Sequence, residues 1–145
     1  MLIKTSLLLL IAVIALTFSS FTKLQSQTIP TVTVSVNKKS YKPGDNGVIT
    51  IKFKPTGGTK IPKEPPIEVT LTGEDVTGTG LQDYSGAPGG DYFTSPVIKY
   101  NFKVSDNSAS QTINAKVKIK FGYCSSESGV CKIGNVSKNI KIIVK

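Results

Sequence analysis

The sequence contains no histidine and no arginine, and both absences narrow the possible functions. Without histidine there is no Ser-His-Asp triad and no imidazole general base, which argues against a hydrolase. Without arginine there is no planar guanidinium to bind phosphates and bases through paired hydrogen bonds, so we expect no nucleic-acid partner. All 18 basic residues are lysines, giving a net charge of +9, and Lys116, Lys118 and Lys120 alternate with apolar residues as on the solvent face of a strand. The charge itself indicates only a general attraction to acidic partners.

Metal-binding and phosphate-binding patterns are also missing. The two cysteines lack the spacing of a zinc site, and no glycine-rich phosphate motif precedes a helix. Glu74, Asp75 and Asp83 lie among glycines, but they are not interleaved as the oxygen ligands of a calcium loop are. The sequence therefore predicts no metal site and no cofactor.

The N-terminal residues have the pattern of a secretory signal peptide. Lys4 precedes an almost wholly apolar run over residues 5–18, and the small residues Ser19 and Ser20 follow it. The run is shorter than the roughly 20 residues that span a bilayer, so we expect no permanent membrane anchor. We predict a signal peptide at residues 1–26 and a single periplasmic or secreted domain at 27–145.

Apolar residues alternate with polar ones through the predicted domain, which is typical of strands with one buried face. Turn signals such as Pro43-Gly44 separate the alternating runs, while residues 73–97 are rich in Gly, Asp and Ser and are predicted to be irregular. The pattern predicts an all-β, immunoglobulin-like antiparallel β-sandwich. The six predicted strands cover residues 32–36, 49–53, 67–71, 98–104, 113–123 and 140–144.

Cys124 and Cys131 are the only cysteines, and both fall in the predicted domain. Cys124 directly follows the long run at 113–123, and a six-residue turn separates it from Cys131, so the two Cα atoms can reach the roughly 4.4–6.8 Å of a disulfide. Spacing alone favours a structural bridge across a hairpin, with about 2–3 kcal/mol of stabilisation. The odd positions of the run form its buried face, however, which places Cys124 toward the solvent side or rim. An exposed bridge is more easily reduced, so a redox role also stays open.

The segment 116–131, with the sequence KVKIKFGYCSSESGVC, resembles the end of the N-terminal periplasmic domain of the thiol:disulfide interchange protein DsbD family. That domain is an immunoglobulin-like sandwich in which an aromatic residue ends the strand before the first cysteine. An acidic-aromatic segment lies upstream and caps the disulfide. Here Asp91-Tyr92-Phe93 stands 33 residues before Cys124 and precedes the strand predicted at 98–104.

The resemblance implies roles for five residues. Cys124 and Cys131 would cycle between dithiol and disulfide, with Cys131 forming the mixed disulfide and Cys124 resolving it. Phe93, with Tyr92, would shield the sulfur atoms from stray thiols. Asp91 would assist proton transfer or tune thiolate formation, because exchange proceeds through a thiolate.

Two main functional hypotheses result. The first is an extracytoplasmic thiol–disulfide exchange module, a possible thiol:disulfide oxidoreductase domain, that relays electrons between thioredoxin-like partners through Cys124 and Cys131. The alternative is a non-enzymatic secreted binding or scaffolding module with a purely structural disulfide. An adhesin-like domain that binds through residues 73–97 is a third interpretation, favoured only by the length of that segment.

Overall fold

A computed structural model describes residues 28–84, 86–94 and 96–145 of the chain. The predicted signal peptide at 1–26 lies outside these residues. No stretch of the described chain forms a helix long and apolar enough to cross a membrane. The eight strands of the described residues are β1 (Thr31–Val36), β2 (Asn46–Lys54), β3 (Thr59–Lys60), β4 (Glu68–Thr72), β5 (Val76–Leu81), β6 (Val97–Val104), β7 (Gln111–Ser125) and β8 (Cys131–Val144).

The strands form two antiparallel sheets that pack together. The first sheet has the order β1-β2-β6-β5. In the second, β7 pairs with β8 along one edge, and its other edge pairs with β4 and then β3. The predicted all-β antiparallel sandwich is confirmed, and its immunoglobulin-like subtype stays a prediction.

The core lies between the two sheets, where the alternating apolar positions of the strands meet. The odd positions of β7 from Ile113 to Tyr123 are all buried, as the alternation predicts. Across the sheets, the rings of Phe53 and Phe121 meet edge to face with centroids 4.8 Å apart. Aromatic rings and branched side chains thus interlock at the centre of the sandwich.

All six predicted strands are present, but two regions differ from the prediction. The predicted irregular segment 73–97 contains β5, which pairs with β6. Glycines at 78 and 80 interrupt the alternation of apolar and polar residues, so this strand was not predicted. Gly78 is needed there because a Cβ would collide with the ring of Tyr100. The last strand is also much longer than predicted, since β8 already begins at Cys131.

The edge of the second sheet is interrupted between β3 and β4. We call residues 61–66 the proline segment, because they include Pro62, Pro65 and Pro66. Proline has no backbone N–H to donate, so this stretch cannot continue the ladder along β7. The chain leaves the sheet edge here, and β4 resumes the pairing at Glu68.

Candidate functional site

Cys124 and Cys131 face each other across β7 and β8 and form a disulfide, as predicted from their spacing. Their sulfur atoms are 2.08 Å apart and their Cα atoms 4.0 Å, which is slightly below the expected range of about 4.4–6.8 Å. The Cα distance is close to the roughly 4.5 Å of an antiparallel pair without mutual backbone hydrogen bonds. In the next pair, the N–H of Ser125 donates to the carbonyl of Val130 at 2.9 Å and closes the turn. The bridge therefore joins directly opposed residues at the end of a hairpin.

The exposure of the two cysteines differs from the prediction for Cys124. Its even position puts it on the outer face of the sheet with Lys116, Lys118 and Lys120, yet it is only 4% exposed, whereas Cys131 is exposed. The alternation placed Cys124 correctly on the outer face of the sheet, but the prediction that Cys124 is exposed to solvent was wrong. The reason is that other parts of the chain cover this end of the outer face.

The proline segment provides one part of this cover. A Cβ on Gly122 would lie 3.0 Å from Cγ of Pro62 and 3.4 Å from Cδ of Pro65, so both rings rest on the strand where it has no side chain. Ordinary carbon–carbon contacts are about 3.5–4.0 Å. Gly122 therefore allows the proline segment to approach β7 beside Cys124.

Residues 89–93, which we call the aromatic segment, provide the other part. The N–H of Lys63 donates to the carbonyl of Asp91 at 2.8 Å, and the N–H of Phe93 donates to the carbonyl of Ile61 at 3.0 Å. These bonds flank an antiparallel bridge between Pro62 and Tyr92. The aromatic segment is thus held against the proline segment, which brings Asp91 and Tyr92 to the disulfide.

The two aromatic residues of this segment have different surroundings. Phe93 is half-buried against the core, and its ring centroid lies 5.2 Å from that of Tyr84. The hydroxyl oxygen of Tyr84 in turn accepts a hydrogen bond from the backbone N–H of Ile67, with 2.9 Å between nitrogen and oxygen. Tyr92 is 37% exposed and lines the pocket beside the disulfide, while Phe93 is not among its described lining residues. Phe93 anchors the aromatic segment, and Tyr92 lines the pocket beside the disulfide together with Tyr84. Shielding of the disulfide by Tyr92 or Phe93 stays a prediction.

An open pocket of about 480 Å³ lies beside the disulfide. Among the described residues, its charged groups are one ammonium and two carboxylates. The ammonium of Lys63 donates a hydrogen bond to the carbonyl of Ala87. Within the described residues, no group of three or more potential metal ligands is found. The lining residues are Pro62, Lys63, Glu64, Tyr84, Gly90, Asp91, Tyr92, Cys124 and Cys131.

Lys60 was not identified from the sequence as a site residue, although it lies directly opposite Cys124 in the pairing of β3 with β7. Its Nζ is 5.4 Å from the centroid of the Tyr92 ring, a cation–π distance. The proline segment was not predicted either. Its three prolines immediately before an alternating run are the signal that an edge strand is interrupted.

The arrangement has the parts that thiol–disulfide exchange requires. It presents one exposed cysteine and one buried cysteine beside a pocket lined by two tyrosines and by ionisable groups. Neither the known protein families nor the curated proteins that we compared with the chain give a match. The case for a function therefore depends on the chemistry of this pair and on its surroundings.

Proposed function

We propose that the protein exchanges thiols and disulfides with thioredoxin-like partners outside the cytoplasm, through Cys124 and Cys131. The observation that carries this proposal is the difference between the two cysteines: Cys131 is exposed, and Cys124 is 4% exposed. A partner thiolate must approach a sulfur atom to attack it, so the reaction has one accessible point of entry. The pocket beside the bridge leaves space for part of the partner.

The exchange proceeds in two balanced steps. A partner thiolate attacks Sγ of Cys131, forming a mixed disulfide and releasing Cys124 as a thiolate that takes up a proton. The second thiol of the partner, after losing its proton, attacks the partner sulfur of the mixed disulfide and releases Cys131 as a thiolate, which is then protonated. The partner becomes a disulfide and this protein a dithiol, so two electrons and two protons have moved. The reverse sequence reduces a disulfide of another partner.

The residues around the bridge support this reaction. Tyr92 lines the pocket beside the disulfide, where it would slow attack by stray thiols. Asp91, also in the pocket, would exchange protons with the departing thiolate. These roles are the ones that the resemblance to the DsbD N-terminal domain implies for the same segment.

A trapping experiment tests the proposal. Cys124→Ser leaves Cys131 as the only thiol, so a disulfide formed with a thioredoxin-like protein cannot be resolved internally and should accumulate. Cys131→Ser is the matched control, since its remaining thiol is covered, and it should trap far less. The second measurement is the equilibrium of the wild-type disulfide in a dithiothreitol redox buffer. We expect a potential well above roughly −300 mV, the region below which structural disulfides lie. A potential in that lower region, with no mixed disulfide in either variant, would refute the proposal.

A structural disulfide on a binding module is the second candidate, and the register of the hairpin favours it. β7 and β8 remain paired from Gln111 with Val144 to Cys124 with Cys131, so the bridge ties strands that are already aligned. This candidate predicts that the double variant Cys124→Ala/Cys131→Ala loses stability but keeps any binding activity. The trapping experiment above separates the two, because a purely structural pair gives no mixed disulfide.

A further inference from the structure

We propose that Lys60 stabilises the thiolate of Cys124 when the disulfide opens, and that it holds Tyr92 beside the disulfide when the bond is closed. The inference deepens the proposed exchange reaction and rests on it. One exposed lysine would thus assist the release of the leaving sulfur and position the adjacent aromatic ring.

The pairing of the strands places the two side chains together. Lys60 is opposite Cys124, and Cys124 is opposite Cys131, so the three residues form one row across the second sheet. Directly opposed residues point to the same face, with Cβ atoms about 4.5–5.5 Å apart. The outer face of β7 is the one that carries Cys124, so the stem of Lys60 starts beside the sulfur that leaves.

The chemistry of the first exchange step creates a need for this cation. Attack on Cys131 puts a negative charge on the sulfur of Cys124, which is covered on the outer face. Burial disfavours a thiolate, and a poor leaving thiolate slows exchange. A nearby ammonium offsets this cost, as basic side chains do at reactive cysteines.

The other charged and titratable groups around Cys124 are less suited to this role. Glu64 and Asp91 in the pocket would disfavour a thiolate, and the side chains of Tyr84 and Tyr92 provide no positive charge. The ammonium of Lys63 already donates to the carbonyl of Ala87. The ammonium of Lys60 instead rests over the ring of Tyr92, a weak contact that it can exchange for a full negative charge.

Because the ammonium of Lys60 contacts either the Tyr92 ring or the Cys124 thiolate, the redox state of the cysteine pair affects the position of the ring. With the disulfide closed, the ammonium lies 5.4 Å from the centroid of the Tyr92 ring, a contact that favours this position of the ring beside the pocket. With the bond open, the thiolate attracts the ammonium, and Tyr92 loses its contact. The pocket would then be more accessible in the mixed-disulfide and reduced states than in the oxidised state.

The test uses Cys131→Ser as the parent, because Cys124 is then the only thiol. The pH midpoint of thiolate formation is followed by ultraviolet absorbance of the thiolate. Lys60→Met should raise this midpoint by about 0.5–1 pH unit, less than the 1–3 units found for closely paired groups because the lysine is exposed. Lys60→Arg keeps the charge and should restore the midpoint of the parent.

Lys118→Met is the matched control for the loss of one positive charge. Lys118 lies on the same face of β7 but six residues from Cys124, which is about 20 Å along the strand. That is twice the Debye length of about 10 Å at 0.1 M salt, so its midpoint should equal that of the parent. Equal midpoints for Lys60→Met and the parent, or equal shifts for Lys60→Met and Lys118→Met, would overturn the proposal.

A second variant separates the effect of the Lys60 charge on the midpoint from the effect of the Tyr92 ring. Tyr92→Leu keeps Lys60 and should leave the midpoint unchanged or lower it, while alkylation of the thiol becomes faster. A midpoint raised as far as that of Lys60→Met would assign the effect to the ring and would also overturn the proposal. These midpoints are measured on a single thiol without a partner. The role of Lys60 can therefore be refuted while trapping by Cys124→Ser succeeds, and trapping can fail while the midpoints shift as expected.

Discussion

Replacing Gly122 by valine tests whether the proline segment covers Cys124. A Cβ at this position would already be 3.0 Å from Cγ of Pro62, at least about 0.5 Å closer than an ordinary contact. The two methyl groups of valine extend about 1.5 Å further, so the segment must move by more than 1 Å. Strain of this kind typically costs 1–3 kcal/mol, which here falls on the closed position of the segment.

The cost translates into an accessibility that can be measured. Since 1.4 kcal/mol is a factor of ten, the population of the open state should rise by about 5-fold to 140-fold. The assay is the alkylation rate of Cys124 by iodoacetamide in the Cys131→Ser parent, followed by mass spectrometry. Gly122→Ala should give a smaller increase than Gly122→Val, because it adds only the Cβ.

The control for this series is Lys118→Val, which changes the same strand and the same face outside the cover. It should alkylate at the parent rate. Circular dichroism melts identify any variant whose sandwich has unfolded, since unfolding would also expose the thiol. If Gly122→Val is folded and its rate equals that of Lys118→Val, the proline segment does not limit access to Cys124, and the reasoning is refuted.

Three further predictions follow from the fold. Cys124→Ala/Cys131→Ala should lower the free energy of unfolding by about 2.5 kcal/mol in urea titrations. This is the loop-closure entropy that a disulfide between residues seven positions apart removes from the unfolded chain, and an unchanged stability would contradict it. Phe121→Ala should cost about 3–5 kcal/mol in the same assay, because its ring is 1% exposed in the core, and a cost under 1 kcal/mol would argue against this packing. The N–H of Lys42 and the ammonium of Lys38 hold the pKa of Asp45 below its ordinary value. The ionised Asp45 carboxylate therefore stabilises the fold at neutral pH, and this stabilisation is lost as the pH falls through the lowered pKa. Asp45→Asn should therefore melt below wild type at pH 7, the difference should close in acid, and a pH-independent difference would contradict this assignment.

Much of the fold could be predicted from the sequence because burial in a sandwich follows the alternation of side chains. Ile113 to Tyr123 shows the clearest case, since every odd position faces the core. The prediction failed for β5, where Gly78 interrupts the pattern because the ring of Tyr100 occupies the space of its side chain. Alternation reports which face is buried, and a glycine that makes room for a neighbour carries no such signal.

The candidate site could be predicted only in part. The spacing of Cys124 and Cys131 was enough for the disulfide, because a short turn after a long strand places their Cα atoms opposite each other. The burial of Cys124 and the position of Lys60 were not predictable in this way, since both depend on pairings between distant parts of the chain. β3 has only two residues, and it brings Lys60 to the site through its pairing with β7.

In the proposed exchange, the positions of the two strands in the sheet would determine which sulfur a partner attacks. β7 has strands on both sides at Cys124, with Lys60 on one and Cys131 on the other, whereas β8 at Cys131 is paired only with β7 among the described residues. Attack on a disulfide runs along the axis of the S–S bond, so a partner that approaches from the free side of β8 meets Cys131 and releases Cys124. Approach to Cys124 would require passage through β3 and the two covering segments. In the proposed exchange, sheet topology would thus select Cys131 for attack, because Cys131 belongs to an edge strand and Cys124, whose sulfur would leave, belongs to a central one.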